Sequence, residues 1–402
     1  TVLLSGSAPT GITAGQLTGD RRHRLIGDLP EDYRFETELE PHMQAADAYV
    51  FMPDADPLLA MSVLVAKRIE PDVYWDKPVV FVEENGKRHP LAKLFEDLSA
   101  SGVAKEKPEE VFAIADGLDK VRDVIGPIKQ APKPTAPPSA SPDVNHPDGS
   151  FGMPETGFGV RKNQPDDLIA VYCSASTKEP DDLDVATRAG RAIAAKGWGI
   201  TYGAGNVSMM GAVARAVIEA GEFVHGVTTE QVWKNNGELA KSGQSELPMT
   251  SLELTQDIYL RMHKMFMPKP GKPVKGVMLL KGGAGSSQEM FALYQLRKAQ
   301  PEFRDVPLAI VNRNGEWDSL IKAAEEYGME RGRDFEVFKE PEAAMPYLEA
   351  QIAKLKKSPG EPDANKAGDT PEGTAKRLGD WRTDRRPGRG ELPSPTQRAR
   401  RL

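Results

Sequence analysis

The sequence predicts an α/β fold built on a doubly wound parallel sheet, complete in the C-terminal half and echoed by a partial, degenerate copy before it. Three observations predict it. From Leu168 to Lys356, strand-like apolar runs alternate with helix-like segments without interruption. Two glycine-rich turns, Tyr202-Gly203-Ala204-Gly205-Asn206-Val207-Ser208-Met209-Met210-Gly211 and Lys281-Gly282-Gly283-Ala284-Gly285-Ser286-Ser287-Gln288-Glu289, each lie between such a strand and such a helix. Finally, Asp76 to Gly86 matches Asp305 to Gly315 without a gap, an internal repeat at an offset of 229 residues.

The elements of the complete copy follow from period and punctuation. Leu168 to Ser174 is a strand, Asp181 to Lys196 an amphipathic helix closed by Gly197, and Trp198 to Tyr202 a second strand ending on the first glycine turn. Met209 to Ala220 is a helix stopped by Gly221, Phe223 to Val227 a strand, and Leu254 to Met267 a helix. Strand Val274 to Leu280 runs into the second turn. Helix Ser287 to Lys298, strand Leu308 to Val311, helix Trp317 to Tyr327, strand Phe335 to Phe338 and helix Pro341 to Lys356 complete the unit.

The repeat sets the domain plan. Tyr49 to Asp56 parallels Val277 to Ala284 at an offset of 228, so residues 1–129 are expected to be the degenerate copy and 168–357 the complete one. Carried without gaps to Thr1, this register leaves the first copy without counterparts of the first strands and the first glycine turn. In that copy Asp54 and Ala55 stand where Gly282 and Gly283 stand, and Met61 replaces Glu289. An acidic turn with Cβ atoms repels a phosphate, so no catalysis is expected there. Residues 130–167, rich in Pro, Ser, Gly and Asp, read as a disordered linker, and 358–402 as a disordered tail that ends basic, with Arg382, Arg385, Arg386, Arg389, Arg398, Arg400 and Arg401.

Composition narrows the function classes. The 402 residues are 39% hydrophobic and 28% charged, and no run approaches the roughly 18 apolar residues of a membrane span. A net charge of -7 argues against bulk nucleic-acid binding. One cysteine, Cys173, excludes an internal disulfide framework, and the opening Thr1-Val2-Leu3-Leu4 has no basic stretch or cleavage site, so a soluble cytoplasmic chain is expected. No His and Cys cluster has metal spacing; neither metal nor cofactor is expected.

The chemistry lies in the turns. Glycines let backbone approach an anion, and the following helix offers unpaired N–H groups and the positive end of its dipole. Gly282, Gly283, Gly285, Ser286 and Ser287 are therefore the expected phosphate cradle, with Gly203, Gly205, Met210 and Gly211 beside the nucleotide. Glu289 lies three residues past Ser286, one helical turn on, and can project toward the same mouth. A carboxylate there can stabilise the positive charge that develops on a ribose as its N-glycosidic bond breaks, so Glu289 is the candidate catalytic residue.

These motifs resemble those of the LOG (Lonely guy) family of nucleotide phosphoribohydrolases, often mislabelled lysine decarboxylases, whose fold is Rossmann-like. The resemblance covers about Leu168 to Lys356. The family's PGGxGTxxE looks like Lys281 to Glu289, with Lys281 for Pro and Ser286 for Thr; its GGGxxGLMG is similar to Gly203 to Gly211, with Ala204 and Ser208 for glycines. A CGSS pattern resembles Cys173-Ser174-Ala175-Ser176, implying nucleotide contacts from Ser174 and Ser176. MHxRK is half present in Met262-His263, after which the Arg-Lys pair is missing, so Arg261 or Lys264 is the expected substitute cation. The resemblance implies hydrolysis of a nucleoside 5'-monophosphate, AMP or the cytokinin type, and a site completed at a dimer interface, by a second chain or by the first copy as an intramolecular pseudo-dimer. Two alternatives stay open: a carrier of nucleotide or molybdenum cofactor that does not hydrolyse it, and an interaction module.

Overall fold

In the computed structural model the described residues are 1–19, 23–102, 106–125, 164–230, 232–233 and 248–357. Nearly all of the expected linker and the whole tail lie outside them. Residues Thr1–Lys354 form one compact unit; of the second unit, Leu355–Leu402, only 355–357 are described.

The strands are β1 Val2–Ser5, β2 Leu25–Ile26, β3 Ala48–Phe51, β4 Val79–Glu83, β5 Ala113–Asp116, β6 Leu168–Tyr172, β7 Gly199–Tyr202, β8 Val224–Thr229, β9 Ser251–Thr255, β10 Gly276–Leu279, β11 Leu308–Val311 and β12 Glu336–Phe338. The α-helices are α1 Ala14–Thr18, α2 Phe35–Gln44, α3 Pro57–Ile69, α4 Pro71–Tyr74, α5 Pro90–Ala100, α6 Pro108–Val111, α7 Val121–Ile125, α8 Pro180–Ala194, α9 Ser208–Glu219, α10 Ile258–Phe266, α11 Ala284–Ala299, α12 Asp318–Glu326 and α13 Pro341–Lys357.

Two parallel sheets result. One has the order β2-β1-β3-β4-β5, the other β12-β11-β10-β6-β7-β8-β9. In the larger sheet the chain winds outward from β6 to β9, then returns to lay β10 against the other side of β6, with Leu279 opposite Tyr172. The wiring therefore reverses between β6 and β10. In open α/β sheets a crevice forms beyond the strand ends at such a reversal. The central strand reads Leu-Ile-Ala-Val-Tyr and is buried throughout, as parallel strands covered on both faces require.

Two expectations change. The helix expected over Leu254–Met267 is the strand β9 followed by the shorter α10. Ser251-Leu252-Glu253-Leu254-Thr255 alternates polar and apolar residues, the mark of a half-covered edge strand, and it pairs with β8. Asp257 then caps α10, its Oδ1 accepting from Tyr259 N at 2.8 Å and Leu260 N at 2.7 Å. The second change concerns the first copy. β1 pairs with β3 as β6 pairs with β10, so the chain from Ser5 to Ala48 is a shortened equivalent of the run from Tyr172 to Gly276. A deletion breaks the gapless register ahead of β3; β2 stands beside β1 as β7 stands beside β6, and what the copy lacks is counterparts of β8 and β9.

The two sheets share one core. Phe35, Tyr49, Phe51 and Phe81 belong to the same buried cluster as Tyr172, Phe266, Phe291 and Phe335. Corresponding helices meet across it: α2, which leads into β3, packs on α10, which leads into β10; α3 packs on α11, and α5 on α12. Asp56 caps α3 ahead of Pro57, accepting from Leu58 N at 2.9 Å, and the helix presents a face buried almost end to end. Several polar groups caught in this seam are paired across it. Gln288 Nε2 donates to Ser62 Oγ at 2.9 Å, Gln295 Nε2 to the Glu31 carbonyl at 2.7 Å, and Tyr259 OH to Met43 Sδ at 3.3 Å.

Because the core is common, urea should unfold both sheets in a single transition. Replacing Ser62 by Ala strands the Gln288 amide and should lower stability by about 1 to 3 kcal/mol at unchanged slope. A second transition for the first copy would refute the shared core.

Candidate functional site

Turn two positions its side chains by close approach. A Cβ on Gly282 would meet Ser286 Oγ at 2.3 Å, so only glycine lets Ser286 fold back over the end of β10. α11 begins at Ala284 with Gly283 as N-cap, and a Cβ built on Gly285 would meet nothing within 4 Å apart from its chain neighbours and the helix's own backbone. Ser286 and Ser287 are buried, and Ser287 Oγ donates to the Gly283 carbonyl at 3.2 Å. The loop after β6 joins the turn. Ser174 N donates to the Lys281 carbonyl at 2.8 Å, and Ser174 Oγ accepts from Ser176 N and Thr177 N, both at 3.1 Å. Lys281, where the family has proline, holds Asp182 at 2.8 Å.

Turn one approaches from β7. Gly203 leaves room for a guanidinium: a Cβ there would lie 2.2 Å from a terminal nitrogen of Arg261. Arg261 donates from Nε to the Val227 carbonyl at 3.0 Å and from a terminal nitrogen to the Gly203 carbonyl at 3.3 Å. Met210 folds over Gly205, and Gly211 lies against the Asn206 carbonyl. The two departures from the glycine pattern are both left-handed, Ala204 at φ 60° and Ser208 at φ 55°. Non-glycine residues pay about 1 to 2 kcal/mol each for that conformation. Gly226 accommodates the first, since a Cβ on it would come within 2.9 Å of Ala204 Cβ.

Glu289 meets Arg261 between the turns. The guanidinium is 4.0 Å from Glu289 Oε1, an ion pair without hydrogen-bond contact, and both side chains are largely buried. Burial pushes the Glu289 carboxyl up to about 8 against the pull of Arg261. Cys173 lies within the field of Glu289, and burial raises its thiol too.

The sequence-expected residues therefore divide. Glu289, Arg261, the cradle of turn two, Ser174 and Ser176, and the Gly203 turn converge on the ends of β6, β7 and β10. Lys264 does not join them; its ammonium pairs with Glu253 at 2.8 Å. His263 faces the first copy, 3.8 Å from Glu36 and edge-on to Phe35, and burial lowers its pKa. Met262 is buried core. Arg261, not Lys264, is the candidate cation that faces Glu289; placing it at the motif arginine puts Tyr259 at the motif histidine and Met262 at the motif lysine. The four-residue slip between the two registers is close to one helical turn, so both put similar residues on similar faces. Asp257, one turn ahead of Arg261, is the signal in the sequence that starts this helix.

The first copy answers turn two with its own carboxylates. Asp54 Oδ1 accepts from Ser7 N at 2.8 Å and Asp28 Oδ2 from Gly6 N at 2.7 Å, while Met61 is fully buried. Its anion cradle is filled from within. Among the described residues no group of His, Cys, Asp or Glu could hold a metal, and no helix is long and apolar enough to cross a membrane.

A family profile described as "Possible lysine decarboxylase" matches residues 210–337. A cytokinin riboside 5'-monophosphate phosphoribohydrolase of Mycobacterium tuberculosis is 31% identical over 152 residues, covering 38% of this chain and 74% of that protein. One of Mycobacterium marinum is 40% identical over 82 residues, 20% of this chain and 43% of the relative. A molybdenum cofactor carrier protein from Chlamydomonas reinhardtii has a solved structure similar over 46% of this chain and 98% of its own, at 16% identity and a TM-score of 0.33.

The raised Glu289 pKa has a stability consequence whose sign is fixed. Between the unfolded value near 4.5 and the folded value near 8 the native state holds the extra proton, so stability falls as pH rises through that window and levels off above it. Glu289→Gln removes this penalty. Urea melts should show the variant gaining on the wild type from pH 5 to pH 8.5 by an amount on the order of a few kcal/mol; a constant difference would mean that the carboxyl is not held protonated.

Proposed function

The chain belongs to the LOG family of nucleotide phosphoribohydrolases, and on that premise we propose that it hydrolyses the N-glycosidic bond of a nucleoside 5'-monophosphate, AMP or a cytokinin-type riboside monophosphate, releasing free base and ribose 5-phosphate. One observation carries the reading: an acid and an arginine, Glu289 and Arg261, meet where the glycine cradle opens at the reversal of strand order.

The phosphate docks on the N–H groups of Gly283, Gly285 and Ser286 and on the Ser286 hydroxyl, which fixes the sugar against the carboxyl. As the base departs, positive charge grows on the ribose ring. An ionised Glu289 stabilises that charge and orients the ribose hydroxyls or the attacking water. Arg261 holds the carboxyl partly ionised, since it is the opposing charge that limits the upward shift. Nothing else in the cradle supplies a cation to Glu289 among the described residues, with Lys264 turned to Glu253. The carrier alternative drew its support from a missing arginine, a role that Arg261 can fill.

The first copy serves as the second subunit. Its α2, α3 and α5 cover α10, α11 and α12 as a twofold-related copy would, and it buries the back of the helix that bears Glu289. A single reduced cysteine fits a cytoplasmic setting.

Incubation with AMP should release adenine and ribose 5-phosphate, and absence of both would overturn the assignment. Glu289→Gln should cut kcat by about 100- to 1000-fold while AMP binding by calorimetry survives. For the wild type, kcat should climb with pH and level off above about 8, where Glu289 is ionised; a rate that falls through that pH would give Glu289 the role of proton donor instead. Light scattering should find a monomer near 43.9 kDa. A stable dimer would mean that the first copy does not replace a partner.

A further inference from the structure

Tyr172 is the last residue of β6, and its side chain is 2% exposed. The ring packs on Phe266, 5.4 Å between centroids, and faces the shared core. Its carbonyl accepts from Leu280 N at 2.9 Å, which ties the residue to the strand end that opens turn two. The hydroxyl is fully buried and has no hydrogen-bond partner among the described residues. Leaving a buried hydroxyl unpaired is costly, and such groups are rare outside sites where a partner arrives. The groups whose charge reaches it are Glu289 and Arg261.

We infer that Tyr172 is a positioning residue for Glu289, its hydroxyl donating a hydrogen bond to the carboxylate when Glu289 loses its proton. The inference rests on the reading of Glu289 as the reactive acid. Arg261, anchored on the Val227 and Gly203 carbonyls and 4.0 Å away, leaves the carboxylate without a donor in contact. Tyr172, at the end of the strand that pairs with β10 ahead of turn two, is placed to supply one. Burial and the negative charge of Glu289 raise the phenol's own pKa, so it stays a donor at every pH at which Glu289 titrates. Among the described residues, the titratable or charged groups whose fields reach Glu289 or are reached by it are Arg261 from α10, Tyr172 at the end of β6 and Cys173 just after it; the Cys173 thiol is held neutral by burial and contributes no charge. Because the hydroxyl is buried, it acts on substrate only through Glu289.

The test is Tyr172→Phe, which deletes one oxygen and keeps the ring. Carboxyl carbon NMR of protein labelled at glutamate, with the Glu289→Gln spectrum assigning the resonance, reads the Glu289 midpoint without substrate. Tyr172→Phe should raise that midpoint by about one pH unit. With AMP, kcat at pH 7 should fall about tenfold at unchanged KM, and the loss should vanish above the new midpoint. Thermal stability at pH 5, where Glu289 is protonated and the hydroxyl unpaired, should be equal or higher. An unmoved midpoint overturns the inference, as does a lower melting temperature at pH 5, which would mean that the hydroxyl is already bonded elsewhere. If Glu289→Gln retains turnover while the midpoint still moves, the catalytic reading fails and the hydrogen bond stands.

Discussion

The desolvation of one carboxyl group governs this structure. Glu289 lies on the first turns of α11, a helix buried on both sides, and a single guanidinium that does not quite touch it opposes the cost. Arg261 reaches that place only because Gly203 has no Cβ, and it stays there because two carbonyls hold it. The other face of α11 is closed by α3 of the first copy. Strip the copy away and water would reach the helix from behind, relaxing the carboxyl toward the ordinary glutamate range. The electrostatics of the site thus depend on packing far from the glycine turns.

The two copies show how one architecture takes opposite charge. Each reverses its strand order beside its first strand, and each aims backbone N–H groups into the resulting crevice. In the second copy that crevice is walled by glycines and hydroxyls. In the first, Asp54 and Asp28 accept those N–H groups, which satisfies the backbone and removes the need for a ligand. That turn is thus satisfied from within the copy, and the copy's helices form one side of the common core. A copy without counterparts of β8 and β9 still forms its side of the core, because β3, β4 and the helices around them make it.

What could be read in the sequence was what depends on local composition. The second glycine turn, the strand feeding it and the repeat are contiguous patterns, and each lies where the pattern put it. Arg261 was legible only as a candidate, because an arginine's reach cannot be told from a helical register that repeats nearly every three or four residues. The alternation of β9 was present in Ser251 to Thr255 but was outweighed by the helical period that starts at Ile258. β1 escaped as a counterpart of β6 because a deletion, unlike a substitution, destroys the register that reveals a repeat. Tyr172 carries no signal at all in one dimension: an aromatic residue ending a strand reads as core, and its unpaired hydroxyl exists only once α10 and α11 have closed over it.

A carboxyl that titrates near 8 is compatible with two chemistries, and the surrounding groups choose between them. A protonated acid suits delivery of a proton to the leaving base, and for that task an adjacent guanidinium is a handicap, since it favours the ionised form. A charge stabiliser for an oxocarbenium-like centre needs the reverse, an anion that is close to ionisation and poorly solvated, so that its field is undiminished by water. Arg261 at 4.0 Å offers attraction without capturing the carboxylate in a bidentate pair, which leaves both oxygens available to the sugar. The substrate adds the last term. On the proposed docking its phosphate lies one turn ahead on the same helix, where its negative charge opposes ionisation of Glu289, whereas the positive charge that grows on the ribose favours it. The attraction is therefore weakest in the ground state and strongest at the transition state, which is the difference that accelerates a reaction.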